Sequence, residues 1–413
     1  MKKTLFIISL RYPLINALNI KTHELKEKKA DIIIDDTIRP DTEELIYALR
    51  ESNIFEKVFF VNPDGYDGLK KFFKNKFRGI GLKKSVCGTY KNMKLCFENK
   101  FQKKKFLKNS IISGGDIDLN AYDEVYICSG SKVARICLEY LTKKIINIHL
   151  IEEGIRDYYT DVAIMNYKKI YSKQNIIIHL YEPELTVYDK NIKNVKFKKI
   201  PKISYDDCAF KTIVNNIFNY DDSTNLDDKI IFFEQVAEPM PKYLKQIGFF
   251  KKIFLRNAIK NHKKEHDEYL NKVSIVNTII KILIKEKLLD KFTIKLHPRT
   301  KRGISLEWRE FIMGDKDNSH TIPWEVYCMN QNFKNNLWLT INSSSLLNKI
   351  LVFDKTGEIK LIFLNNYLKS NIDKNKKIAE FYKKVSAKYP NIMQEPVEEK
   401  DILYIIKSSF DEK

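Results

Sequence analysis

The feature that most constrains this chain is the repeated alternation of short apolar runs with amphipathic stretches. In the first half, apolar runs occupy residues 4–10, 30–35, 57–62, 124–130 and 145–154. Helical patterns lie between them, such as DTEELIYALRES (41–52), in which Asp41 and Glu44 have the spacing of a helix N-cap and capping box. Strand–helix–strand repetition predicts a parallel sheet with right-handed crossovers, which is a Rossmann-like domain.

A second series of the same kind follows a polar stretch, YDDSTNLDD (220–228), that has no apolar periodicity. Its apolar runs lie at 229–235, 292–298, 336–345 and 359–364, and a long amphipathic helix is predicted around Ser274–Leu289. We therefore expect an α/β protein with two Rossmann-like domains, residues 1–222 and 223–413, that face a central cleft. The last predicted helix, Glu399–Ser409, is expected to pack back on the first domain.

The net charge of +20 indicates an anionic partner. Basic residues cluster with aromatic residues at 69–84, 99–109 and 249–264. Such clusters suit docking on an anionic membrane surface or a groove for a polyanionic saccharide, and solvated helix faces above core phenylalanines have the same pattern. No RNP-like aromatic strand, zinc-ligand spacing or GxxG loop supports nucleic-acid binding, so a nucleic acid is not the expected partner.

The six cysteines form no CxxC pair and have no histidine at zinc-finger spacing, which predicts buried, reduced thiols. The opening apolar run Leu5–Leu10 is shorter than the ~7–15 residues of a signal-peptide core, and it is interpreted as a first buried strand. No apolar run approaches the ~20 residues of a membrane span. We expect a cytoplasmic protein that is at most peripheral on the inner face of the cytoplasmic membrane.

Two acidic residues, Glu152 and Glu153, end a predicted strand of the first domain and are followed by Gly154. Ligands of open α/β sheets bind beyond the carboxyl ends of the strands. If Glu153 is partly desolvated beside Glu152, its pKa rises toward the range of a general base. An acidic turn exposed to solvent would have the same sequence.

The second domain places polar residues after its own predicted strands. His297 ends the run FTIKLHP, and three serines separate LWLTI from an apolar helix, where hydroxyls and helix N-terminal amides can hold a phosphate. Each of these residues also has an ordinary alternative. His297 could cap the end of the strand, Glu325 could be an exposed glutamate, and a serine could be a plain helix N-cap. The candidate ligand-binding residues of this domain are His297, Pro298, Arg299, Glu325, Ser343, Ser344 and Ser345.

A metal-dependent alternative rests on Asp116-x-Asp118 in GGDIDLN (114–120). Some glycosyltransferases hold a divalent cation with such a pair, which then ends an apolar strand. Here the pair follows two glycines and precedes the strand-like run EVYICSG, so we interpret it as a turn.

The motifs in this order resemble those of bacterial sialyltransferases with the two-Rossmann (GT-B) architecture, namely the lipooligosaccharide sialyltransferases and the capsular polysialyltransferases. Those families share an acidic-acidic-Gly motif, a His-Pro motif and a serine motif, which correspond here to Glu152-Glu153-Gly154, His297-Pro298 and Ser344-Ser345. The chain departs from them at Ser9–Pro13, where a Ser-x-(Phe/Tyr)-Gln-like turn is usual. Thr340 and Asn342 stand where glycines often precede the serine motif.

The resemblance implies a GT-B-like fold and an inverting, metal-independent transfer of sialic acid from CMP-sialic acid, without a cofactor, to a lipooligosaccharide or polysialic acid acceptor. It implies that Glu153, or else Glu152, deprotonates the acceptor hydroxyl and that His297 binds the departing phosphate. The serines would add donors to the phosphate, Glu325 would hold the ribose, and Arg299 would add positive charge.

Two further alternatives remain open from the sequence. The same fold could use another nucleotide sugar. A non-catalytic basic module that binds anionic polymers or a membrane would instead show salt-dependent binding and no nucleotide turnover.

Overall fold

The computed structural model describes most of the chain in two compact units. Unit 1 comprises Met1–Pro201 and Thr212–Phe218, and unit 2 comprises Lys202–Lys211 and Asn219–Lys413. The described residues are 3–35, 42–61, 111–113, 117–128, 132–161, 164–165, 167, 172–221, 225–234, 256–297, 308–313, 322–341, 343, 345–364 and 376–410. Among the predicted features, the clusters at 69–84 and 99–109, residues 249–255 of the cluster at 249–264, and Asp41, Asp116, Pro298, Arg299 and Ser344 lie outside this set.

Unit 1 alternates strands and helices in the order that the sequence predicts. Short 3₁₀ turns lie at Leu119–Ala121 and Pro183–Leu185. The elements are β1 (Lys3–Ile8), α1 (Arg11–His23), β2 (Ala30–Asp35), α2 (Thr42–Glu51), β3 (Val58–Val61), β4 (Ile111–Ser113), β5 (Tyr122–Ile127), α3 (Lys132–Leu141), β6 (Asn147–Ile151), α4 (Arg156–Tyr159), β7 (Asn175–Leu180), β8 (Val195–Lys199) and α5 (Cys208–Phe218), whose first residues belong to unit 2.

The described strands of unit 1 form one sheet in the order β4-β3-β2-β1-β5-β6-β7-β8. All neighbours are parallel except β3 and β4, and β1 pairs with both β2 and β5, so that Ile7 lies opposite Ile33 and Ile127. Residues Leu5–Ile8 are buried, as expected for a parallel strand covered on both faces. The strand order reverses direction between β1 and β5, which makes their carboxyl ends the topological switch point of this unit.

Unit 2 repeats the alternation with a different strand order. Its elements are β9 (Ile230–Phe233), α6 (Arg256–Lys285), β10 (Phe292–Lys295), α7 (Trp324–Asn330), β11 (Asn336–Thr340), α8 (Ser345–Val352), β12 (Ile359–Phe363), α9 (Lys376–Lys388), β13 (Met393–Gln394) and α10 (Glu399–Phe410). The described strands are all parallel in the order β10-β9-β11-β12-β13, with the switch point between β9 and β11. The prediction of two Rossmann-like domains is confirmed.

The core of unit 2 includes residues of its long helix and of the last helix. Helix α6 contributes a buried stripe at helical spacing that includes Ile275, Ile279 and Ile282. Ile402, Ile405 and Ile406 of α10 are buried in this same core. The apolar face of α10 therefore lies in the core of unit 2, and packing of this helix on the first domain stays a prediction.

Two further predictions concern the burial of the cysteines and the membrane-spanning capacity of the helices. Cys128, Cys137 and Cys328 are buried as predicted, but Cys208 is exposed, because the first turn of α5 faces solvent at that position. No helix within the described ranges is long and apolar enough to cross a membrane.

Candidate functional site

Polar residues follow three neighbouring strands at the switch point of unit 1. Ser9 follows β1, Cys128 follows β5, and the acid pair follows β6. The Ser9 Oγ and Cys128 Sγ atoms lie 3.1 Å apart, and both residues are buried. Burial, together with the nearby charge of Glu153, raises the pKa of the Cys128 thiol to about 12. The thiol is therefore protonated at neutral pH, and Glu153 lies beside the switch point.

Glu152 is enclosed by hydrogen-bond donors from three elements. Its Oε1 accepts a bond of 2.7 Å from the hydroxyl of Tyr12, and its Oε2 accepts bonds of 2.6 Å from the hydroxyl of Tyr158 and 3.0 Å from the backbone N–H of Tyr181. The residue is 2% exposed. Burial raises the pKa of Glu152 to about 7, against the opposing effect of these three bonds. We call Tyr12, Glu152, Tyr158 and Tyr181 the Glu152 cluster.

The residues after Glu152 form a turn that has a different character. Glu153 is half-buried, and its backbone N–H donates a 2.6 Å bond to Oδ2 of Asp157. Gly154 has φ 145°, a backbone conformation that favours glycine. Burial raises the pKa of Asp157 to about 6, although the bonds from the backbone of Glu153 and Gly154 act in the opposite direction. Asp157 thus holds the turn that carries Glu153.

Helix α1 supports this turn through polar side chains on its buried face. Asn16 donates from Nδ2 to the backbone oxygen of Glu152 at 2.9 Å and accepts from the hydroxyl of Tyr181, also at 2.9 Å. Asn19 donates to the backbone oxygen of Pro201 at 2.8 Å. These residues were not among those predicted from the sequence. A detectable signal was present, since Tyr12, Asn16 and Asn19 recur at i, i+4 and i+7 in a helix that is otherwise apolar there.

In unit 2, His297 lies just beyond β10, at the carboxyl end of that strand, and is half-buried. On the adjacent strand, Glu234 follows β9, is buried, and donates its backbone N–H to the oxygen of Lys295 at 3.0 Å. The sequence analysis overlooked Glu234. Pro298 and Arg299, the next two predicted site residues, are outside the described residues.

The serine motif joins the end of β11 to the start of α8. The backbone N–H of Ser343 donates to Oγ1 of Thr340 at 2.9 Å, and that hydroxyl donates to the backbone oxygen of Phe233 in β9 at 3.1 Å. Ser345 is the first residue of α8. Thr340 therefore ties the serine loop to the two strands at the switch point of unit 2.

Glu325 is the second residue of α7 and is 4% exposed. Its Oε1 accepts a hydrogen bond from Asn348 of α8, and burial raises its pKa. The structure thus shows this carboxylate bonded between two helices. Its contact with a ribose stays a prediction.

Asp118, from the metal-dependent alternative, caps a short turn. Its Oδ1 accepts from the backbone N–H of Asn120 at 3.0 Å, just before the Leu119–Ala121 turn that leads into β5. It lies at the amino end of β5, whereas Glu153 lies beyond the carboxyl end of the neighbouring parallel strand β6. The interpretation of Asp118 as a turn residue is confirmed.

Comparisons with known proteins give remote structural matches only. No family model matches the chain, and no curated protein sequence matches it. Solved structures that match include the UDP-GlcNAc 2-epimerase of Methanocaldococcus jannaschii, with 12% identity and a TM-score of 0.44 over 100% of this chain and 94% of that chain. An α/β-galactoside α-2,3-sialyltransferase of Photobacterium phosphoreum has 11% identity and a TM-score of 0.46 over 96% of this chain and 98% of that chain. MurG of Acinetobacter baumannii has 10% identity and a TM-score of 0.35 over 100% and 91% of the two chains.

Proposed function

We propose that this protein is an inverting, metal-independent sialyltransferase that moves sialic acid from CMP-sialic acid to a hydroxyl of a bacterial surface glycan. The observation that carries the proposal is the placement of its motifs. Glu153, His297 and Ser343 each follow the carboxyl end of a parallel strand in a Rossmann-like unit. Ligands of such folds bind at these ends.

The general base is Glu153 and not Glu152. Glu152 is buried and both of its oxygens already accept hydrogen bonds from within unit 1, so the acceptor hydroxyl of an incoming sugar has no access to them. Glu153 is half-buried, and its backbone is fixed by Asp157. Its carboxylate takes the proton of the acceptor hydroxyl as that oxygen bonds to the anomeric carbon of the sialic acid.

The bond between the anomeric carbon and the phosphate oxygen of CMP breaks in the same step, through an oxocarbenium-like state, and its electron pair leaves with CMP. His297 donates a hydrogen bond to the departing phosphate, and the serine loop with the first amides of α8 adds further donors. Because the acceptor attacks opposite the leaving phosphate, the anomeric configuration inverts. We assign Glu325 to the ribose and Arg299 to the negative charges of the donor.

The test is CMP release from CMP-sialic acid with a panel of lactosyl and oligosialyl acceptors, in the presence and absence of EDTA. We expect acceptor-dependent release that EDTA does not change. Release of a nucleotide only from another nucleotide sugar would show that CMP-sialic acid is not the donor. Salt-dependent binding of anionic polymers or membranes without any nucleotide release would support the non-catalytic basic module. Thermal stabilisation by CMP and not by UDP is the matched binding test, because a ligand at ~100 times its Kd stabilises by about 2.7 kcal/mol.

A further inference from the structure

We propose that Glu152 is a positioning residue whose hydrogen bonds to Tyr12 and Tyr158 fix the turn that carries Glu153. The role rests on the proposed function, since it gives Glu152 a purpose in a reaction in which Glu153 is the base. It assigns to Tyr12 and Tyr158 a part in catalysis, although neither contacts the reacting atoms.

The Glu152 cluster closes the turn at both ends. Glu152 immediately precedes Glu153, and Tyr158 follows Asp157, so the bond of 2.6 Å between Tyr158 and Glu152 brackets the residues between them. Inside this bracket, Asp157 holds the backbone of Glu153 at 2.6 Å. Displacement of Glu153 along the turn therefore requires one of these two bonds to lengthen.

The cluster also connects the turn to two rigid elements. Tyr12 lies in the first turn of α1, whose buried face packs in unit 1, and bonds to Oε1 of Glu152 at 2.7 Å. The backbone of Tyr181, just after β7, bonds to Oε2 of the same carboxylate at 3.0 Å. Both oxygens of Glu152 are thus used, one toward a helix and the other toward the neighbouring strand.

In this arrangement three donors converge on the two oxygens of a carboxylate. A glutamine at this position would present one acceptor oxygen and one amide group, and the amide cannot accept the hydrogen bond that one of the oxygens now receives. Glu152→Gln therefore changes the bonding of the cluster with almost no change in side-chain volume.

A matched control lies toward the amino ends of the strands of the same sheet, away from Glu153. The hydroxyl of Tyr122, the first residue of β5, donates to Oδ2 of Asp31 at 2.5 Å, and Asp31 and Tyr122 are buried. Tyr122→Phe removes a tyrosine–carboxylate bond in unit 1, as Tyr158→Phe does, but far along the strands from Glu153. A merely structural role for Tyr158 would make these two variants behave alike.

The experiment measures kcat, the KM for CMP-sialic acid, and amide hydrogen exchange in the full-length wild type and in Tyr158→Phe, Glu152→Gln and Tyr122→Phe. We expect Tyr158→Phe and Glu152→Gln to lower kcat by about tenfold or more, because a small misplacement of a reacting group is enough for such a loss. The donor KM should stay unchanged, and the amides of Glu153 and Gly154 should exchange faster. Tyr122→Phe should lower the Tm by as much as Tyr158→Phe does. It should leave kcat and the exchange of the amides of Glu153 and Gly154 unchanged.

Equal losses of kcat in Tyr158→Phe and Tyr122→Phe, or full kcat in Glu152→Gln, would overturn the proposal. If Tyr158→Phe does not fold, Tyr12→Phe tests the same carboxylate from α1. If the wild-type protein has no transfer activity, the proposed function is refuted. The amide hydrogen exchange alone then tests whether the Glu152 cluster fixes the turn. Faster exchange at Glu153 and Gly154 in Glu152→Gln but not in Tyr122→Phe supports the cluster, and unchanged exchange contradicts it.

Discussion

The backbone N–H of Glu153 lies 2.6 Å from Oδ2 of Asp157, four residues further along the chain. This bond makes Asp157 the cap of the turn, and in the proposed reaction the side chain of Glu153 is the part of the motif that acts on the substrate. The adjacent Glu152 is committed to its own hydrogen-bond cluster. One turn thus gives two neighbouring acids different surroundings.

The first prediction concerns this cap. Asp157→Ala removes the acceptor, so we expect kcat to fall and the free energy of unfolding to fall by about 1 kcal/mol, as for other capping residues. Asp157→Asn keeps an acceptor oxygen at the same position and should retain most of both quantities. Steady-state kinetics and urea unfolding of the two variants check this. Identical behaviour of Asp157→Ala and Asp157→Asn would show that the cap is not what matters at this position.

The second prediction concerns acid stability in unit 1. His149 Nδ1 and His179 Nε2 lie 2.8 Å apart in a buried pair, and the ring of Tyr126 stacks on His149. Burial lowers the pKa of His149 to about 2 and that of His179 to about 3, with further lowering by nearby positive charge, including that of Lys198. Both rings are therefore neutral in the folded protein when unfolded histidine, with a pKa near 6.5, begins to take up a proton.

Because the folded pKa values lie below the unfolded ones, the stability from this pair is present above about pH 6.5 and is lost as the pH falls. Each histidine contributes a slope of about 1.4 kcal/mol per pH unit in that range. The double variant His149→Phe/His179→Phe replaces both partners with apolar rings and should show a shallower loss between pH 6.5 and 4. Urea unfolding at several pH values measures this slope, and a wild-type slope in the double variant would contradict the assignment.

The third prediction concerns the donor side. Thr340→Val removes the hydroxyl that bonds to both Ser343 and Phe233 and leaves two buried backbone groups unpaired, at a cost of about 1–3 kcal/mol each. We expect a higher Kd for CMP, because the serine loop loses its support, and a lower free energy of unfolding. Thr340→Ser keeps the hydroxyl and serves as the control. Calorimetric titration with CMP should give a higher Kd for Thr340→Val than for Thr340→Ser. An equal Kd in the two variants would show that Thr340 does not support CMP binding.

Much of the fold could be predicted because local pattern determines it. The run ADIIID is bounded by charged residues and is β2 to the residue. Helix α6 begins at Arg256, well before the predicted Ser274, because its first half is polar and an apolar stripe appears only in the second half. The strand orders of the two sheets differ, and no local pattern encodes which strands become neighbours.

The candidate site was predictable only in its strand-end motifs. The acid pair, His297 and the serines stand out because each follows an apolar run. The separate roles of Glu152 and Glu153 depend on Tyr12 and Tyr181, which lie far from them in the chain and meet them only after the sheet has formed. Sequence spacing alone therefore could not decide which of the two acids is buried.

The proposed role of Glu153 as general base of a sialyl transfer predicts the kcat of Glu153→Gln with CMP-sialic acid and a glycan acceptor. The matched control is Glu124→Gln, an isosteric change in β5 at a residue that pairs with Lys28. We expect Glu153→Gln to lower kcat by roughly 10²–10⁴-fold, the usual contribution of general base catalysis, with the Kd for CMP unchanged and Glu124→Gln fully active. A Glu153→Gln protein that transfers sialic acid at the wild-type rate would contradict the account.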